Sequence, residues 1–141
     1  MPLVDWGLIA LGEQECRRLL ASGSLGRVGL TVKCLPVILP VNYVVVDGKV
    51  AFWSAPGLKL DAARWETVVA FEVEGSESDG SHPWSVLVVG KTREVEDPAV
   101  IDRVVASGLH PRPRGDRHHL IELDTEFISG RRVGLPPYQP V

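Results

Sequence analysis

Residues 50–74, VAFWSAPGLKLDAARWETVVAFEVE, hold the side chains best placed for chemistry. An apolar run ends at Ser54, the chain turns through Ala55, Pro56 and Gly57, and a helical pattern carrying Leu58 and Lys59 begins. A hydroxyl at a strand end, a glycine that permits close approach to the backbone, N–H groups at a helix start and a lysine in its first turn together suit an anion such as a phosphate. An ordinary strand-to-helix turn with a solvated lysine shares this pattern, so the local sequence leaves both open. Two further segments bear on the choice. PVILPVNYVVV sets Val41, Asn42 and Tyr43 beside Pro40, and HPWSVLVVGK sets Trp84 and Ser85 at the start of an apolar run. Amide and aromatic groups so placed offer a flat heteroaromatic ring an apolar wall and hydrogen bonds. Trp84 as plain core, and Asn42 bonded to its own backbone, are the simpler alternatives.

The remaining reactive side chains point elsewhere. His118 and His119 open a strand, so they face opposite sides and do not chelate one metal; no metal site is expected. His82, in the polar run SESDGSH, reads as an exposed loop histidine rather than a haem ligand. Glu72 and Glu74 alternate on one strand face, toward solvent or a dimer contact, and form no general acid/base pair. Arg112, Arg114 and Arg117 lie in HPRPRGDRHH, where they either draw an anionic substrate or form a solvated basic loop. Cys16 and Cys34 have no CxxC or Cys/His spacing and are expected to be buried or half-buried free thiols.

These groups need a scaffold. Over residues 13–22, Cys16, Leu19 and Leu20 share a helical face, with Gly23 placed for a left-handed C-terminal cap. The runs LGRVGLTV, PVILPVNYVVV and KVAFWS predict three antiparallel strands, and Asp47-Gly48 predicts a type I′ hairpin. Pro40 removes a ladder donor, which places its strand at an edge or at a bulge. A helix is expected over 56–66 with Leu58, Ala62 and Trp65 on its buried face. A strand (TVVAFEVEG), a loop over 76–82, a long strand (PWSVLVVGKTREVE) and a helix started by Asp97-Pro98 come next. HHLIELDTEFISGRRV is expected as one last strand, giving about six strands and three helices. That mixture fits a small closed or partly closed barrel with peripheral helices, not an alternating βαβ fold.

With 141 residues, 45% apolar and 23% charged, the chain has the size and balance of one globular domain over 1–141. Its core is expected at about 11–134, with 135–141 as a tail. A net charge of −3 argues against phosphate-driven nucleic-acid binding. No stretch reaches the roughly 18 apolar residues of a membrane span and no signal peptide opens the chain, so a cytoplasmic protein without a membrane partner is expected.

In their order, GRVGL, PVILPVNY, DGKVAFWSAPGLKLDAA, VVAFEVEG, WSVLVVGKTREVED and ISGRR resemble the pyridoxamine 5′-phosphate oxidase-like flavin-binding proteins. The likeness covers about residues 11–134 and is strongest to the small branch that includes nitroimidazole-resistance-like proteins. It implies a mainly β, six-stranded antiparallel split barrel that forms a homodimer, with FMN in clefts between the protomers. On this resemblance Trp53, Ser54, Gly57, Leu58 and Lys59 hold the phosphate, with Ser54 and Lys59 as direct partners. Val41, Asn42 and Tyr43 line the ring, Trp84 and Ser85 reach the other protomer's flavin, and Arg131 or Arg132 adds a cation. Arg27 also matches a frequent family residue, without an assigned role. Two departures stand out: Trp53 occupies a place where relatives often carry a basic residue, and Leu58 one where a small polar residue is usual. The activity implied is redox of a small molecule at the flavin, with no side chain named as catalytic. The alternatives are deazaflavin coenzyme F-420 in place of FMN, a non-catalytic protein that stores or senses flavin, deazaflavin or haem, and a cofactor-free dimeric scaffold.

Overall fold

The β-branched runs that dominate residues 25–95 can bury themselves only by pairing edge to edge and curling over a shared face. In the computed structural model, which describes residues 8–111 and 118–134, they do so. β1 (Leu8–Ala10) and α1 (Glu13–Ser22) lead into β2 (Leu25–Val32), β3 (Leu35–Asn42), β4 (Val44–Val46) and β5 (Lys49–Ser54). Then come α2 (Leu58–Arg64), β6 (Val68–Gly75), β7 (Trp84–Val95), α3 (Pro98–Ala106), β8 (His119–Leu123) and β9 (Phe127–Val133). The strands are antiparallel in the order β3-β2-β6-β7-β8-β5-β4, with β9 also on β7 and β1 on β9. This is the mainly β split barrel with helices at its periphery. None of the described helices is long and apolar enough to cross a membrane.

The barrel is split by β7. Its first two thirds, from Trp84 to Lys91, pair with β6, while Thr92 to Val95 pair with β8. One 12-residue strand thereby joins the two halves. Inside, Val28, Val73, Val86, Val88, Ile121 and Leu123 are buried around Phe71, whose ring meets Tyr43 edge-on at 4.9 Å. On α1, Cys16, Leu19 and Leu20 are the buried residues, at the expected spacing. Asp47 and Gly48 both have positive φ, 53° and 77°, as a type I′ hairpin requires. Asp97 caps α3 by accepting from the Ala99 N–H at 3.0 Å.

Several expectations need correction. Gly23 is not a left-handed cap, for its φ is −84°; a Cβ there would strike the Tyr43 hydroxyl and Val73, so space rather than handedness calls for glycine. α2 starts at Leu58, after Gly57 at φ 153°. Its buried side chains are Leu60 and Ala63, while Trp65, its C-cap, is 83% exposed. The second run divides into β3 and β4 around Tyr43, and the last into β8 and β9. At that second break the Asp124 N–H donates to the Lys91 carbonyl, and the Thr125 hydroxyl donates to the Gly48 carbonyl. Nine strands result among the described residues, where about six are expected from the sequence. Cys34 is exposed in the β2–β3 turn, and only Cys16 is a buried thiol.

The outer face of the sheet carries an apolar row. Register aligns Ile38, Gly29, Ala70, Val89 and Phe127 across β3, β2, β6, β7 and β9. Ile38 is 69% and Phe127 70% exposed. The next row, Pro40, Arg27, Glu72, Leu87 and Ser129, is mixed. In it Arg27 reaches Glu74 at 3.3 Å, an exposed pair of small energetic weight.

Candidate functional site

β3 and β5 both end at one rim of the barrel, and α2 begins there. Pro40 in β3 explains why the rim is open: β3 pairs with β2 alone, in unbroken register, so it is an edge strand among the described residues. Between these ends lies a cleft of about 410 Å³, lined by Leu25, Pro40, Val41, Asn42, Trp53, Ser54, Ala55, Lys59, Leu109, His110 and His118. That volume lies within the ordinary range for small-molecule sites. Its polar side chains are Asn42, Ser54, Lys59 and the two histidines. None of the described lining residues is a carboxylate, although the chain as a whole is acidic. Lysine and histidine are the side-chain types that suit an anion.

Trp53 and Ser54 occupy successive positions at the end of β5. The Trp53 indole N–H donates to the Leu109 carbonyl at 3.0 Å, which fixes the segment after α3 as the far wall of the cleft. Ser54 is buried, and its hydroxyl donates to the Ala55 carbonyl at 2.7 Å. A bound anion would draw that hydroxyl by a turn of one rotor.

Of the residues expected at the site, Val41, Asn42, Trp53, Ser54 and Lys59 come together in this cleft. Gly57 and Leu58 lie exposed at the turn into α2, outside the lining. Tyr43 points into the core, where its hydroxyl donates to the Leu20 carbonyl and burial pushes its pKa up to about 12. Tyr43→Phe is therefore expected to cost about 1 to 2 kcal/mol of stability in urea unfolding, the cost of one hydrogen bond and a stranded carbonyl, with binding in the cleft unchanged.

Trp84 also faces inward, packed over Gly75. Ser85 and Arg131 form a register pair on the outer face, on strands away from the cleft. Arg132 instead turns toward α1, where it bonds Glu15 at 3.2 Å. With Arg18 first and Arg132 second, these guanidiniums hold the Glu15 carboxyl down to about 2.

Ala55, from the turn expected to hold the anion, and Leu109 and His110, from the basic loop expected to face the ring, also line the cleft, as do Leu25 and His118, which the sequence does not mark. His118 and His119 do face opposite ways. His118 lines the cleft, whereas His119 bonds Glu94, which Arg64 also holds. Burial opposes the charge on Glu94, but hydrogen bonds from His119 and Arg64 outweigh it and lower its pKa. His82 is exposed, with its Nδ1 2.9 Å from the Ser81 hydroxyl. Among the described residues no three His, Cys, Asp or Glu side chains are grouped to hold a metal. Arg112, Arg114 and Arg117 lie outside the described residues.

Comparison with known proteins adds to this geometry. Residues 12–132 match the family model described as pyridoxamine 5′-phosphate oxidase. An uncharacterised protein of Mycobacterium tuberculosis is 34% identical over 131 residues, covering 89% of this chain and 86% of its own. The structure of a protein from Mycobacterium smegmatis described as FAD binding is also 34% identical, with a TM-score of 0.73 over 88% of this chain and 98% of that one. A putative pyridoxamine 5′-phosphate oxidase from Corynebacterium glutamicum is 25% identical, with a TM-score of 0.75 over 92% and 96%.

Proposed function

Because this chain belongs to the pyridoxamine 5′-phosphate oxidase family, we propose that it is a flavin-binding oxidoreductase-like protein whose cofactor sits in the Asn42–Lys59 cleft, against a second copy of the chain. The observation that carries the reading is the convergence of the β3 end, the β5 end and the α2 lysine on one cleft. Lys59 and Ser54 hold the phosphate next to the ribityl chain. Leu25, Pro40 and Val41 supply apolar wall for the ring, and the Asn42 amide supplies hydrogen bonds to its polar edge. Trp53 keeps Leu109 in place as the wall opposite, which narrows the access of water. The flavin, when bound, supplies hydride or electron transfer at its ring; the chain contributes placement and polarity.

The Mycobacterium smegmatis relative is described as binding FAD. FMN and FAD share the ribityl-linked phosphate, so the Lys59 end serves either, and FMN is the simpler ligand for the test. A second copy completes the site because the apolar row from Ile38 to Phe127 is left uncovered in the single chain and runs beside Pro40, a cleft residue. Purified protein titrated with FMN, and separately with FAD, is expected to quench flavin fluorescence saturably at one flavin per chain. Bleaching of the bound flavin's absorbance by a reduced nicotinamide would support redox turnover, and a bound flavin that stays oxidised would favour storage or sensing. Protein that takes up neither flavin would overturn the reading.

A further inference from the structure

The His118 Nε2 atom is buried and has no hydrogen-bond partner among the described residues, and His118 lines the cleft. Buried polar side-chain atoms are ordinarily satisfied, and an orphan on the wall of a cleft is placed to be satisfied by what enters it. Register says which end of the cleft this is. Ser54 pairs with His119 across β5 and β8, so His118 lies one step beyond, beside the turn that leads from Ser54 toward Lys59. The other titratable groups on the described lining are Lys59 from α2 and His110 from the segment after α3, both basic types. The Glu94 carboxylate of β7 is engaged by His119 and Arg64, the neighbours of His118 in sequence and of Lys59 along α2.

We infer that His118 is a further phosphate ligand of this cleft, its ring N–H donating to a phosphoryl oxygen held jointly with Lys59 and Ser54. The inference rests on the flavin reading for the phosphate and its bearer; the basic side chains of the described lining and the orphaned imidazole by themselves point to an anionic acceptor. Nothing in the sequence marks His118 for this role, because its proximity to Ser54 arises only when β8 pairs with β5.

Two measurements separate this claim from the flavin reading. The first compares FMN with riboflavin, which lacks the phosphate, by fluorescence titration of the wild-type protein, His118→Ala and His118→Gln. His118→Ala is expected to weaken FMN about tenfold and leave riboflavin unchanged, with His118→Gln, which keeps a donor, recovering part of the loss. The second follows the histidine ring signals by NMR during titration with inorganic phosphate, expecting a saturable shift of His118. A His118 shift in a protein that binds no flavin would keep this inference and sink the flavin reading. Flavin binding with FMN and riboflavin equally weakened in His118→Ala, or with FMN unaffected, would overturn the inference and spare the reading.

Discussion

Lys59→Ala is expected to weaken FMN binding by about 1.5 to 3 kcal/mol, a loss of roughly 10- to 150-fold in affinity. The magnitude is that of a hydrogen bond to a charged group. Lys59 sits at the start of α2 and, like Ser54, lines the cleft. The side chain is only half-buried, so its removal leaves no cavity in the core, which at this point is filled by Leu60 and Ala63. Stability should move little. Riboflavin affinity should move little as well, because the lost partner is the phosphate's. Isothermal titration with both ligands, beside thermal unfolding of the variant, separates these quantities. FMN affinity unchanged in a folded variant would remove Lys59 from the site and leave the phosphate to other groups.

Lys59 also illustrates what could be read in the sequence. WSAPGLK offers the groups of an anion site by residue type, a strand-end hydroxyl, a turn and a lysine within six positions, although an ordinary turn shares the pattern. The edge position of β3 was legible for a similar reason, since Pro40 cannot donate to a neighbour on its missing side. Periodicity gave the α1 face, and Asp47-Gly48 gave the hairpin, because both are local rules and the local geometry decided the outcome.

What was not legible depends on partners distant in sequence. Tyr43 follows Asn42 directly, yet one lines the cleft and the other fills the core, because successive residues of an extended chain face opposite ways and the barrel interior takes the larger ring. Trp65 is expected on one face of α2 with Leu58 and Ala62, but the helix ends at Arg64 with Trp65 as its C-cap, and the buried residues are Leu60 and Ala63. The break between β8 and β9 is held by Thr125, which binds Gly48 through its hydroxyl and receives Arg17 at 2.9 Å; neither contact leaves a trace in the local pattern. His118 is the same kind of case. Its neighbour Ser54 is 64 positions away, and only the β5–β8 register brings the two together.

The apolar row on the outer face supports the second large effect, Ile38→Asp combined with Phe127→Asp. In a single chain both side chains are mostly exposed, so charging them costs the core nothing and the fold should survive. In a dimer closed over this face, each carboxylate would be buried without a partner, and by symmetry each substitution acts on both sides of the contact. The wild-type protein is expected to sediment at twice its 15.4 kDa chain mass and the double variant at that mass, with the far-ultraviolet circular dichroism of the two superimposable. FMN affinity should fall by at least about tenfold in the same variant, because the partner's outer face, with Ser85 and Arg131 in register, no longer closes the cleft. The two readouts are informative together. Loss of the dimer with undiminished FMN affinity would mean that one chain holds the flavin alone, whereas a variant that still sediments as a dimer would place the contact on another surface.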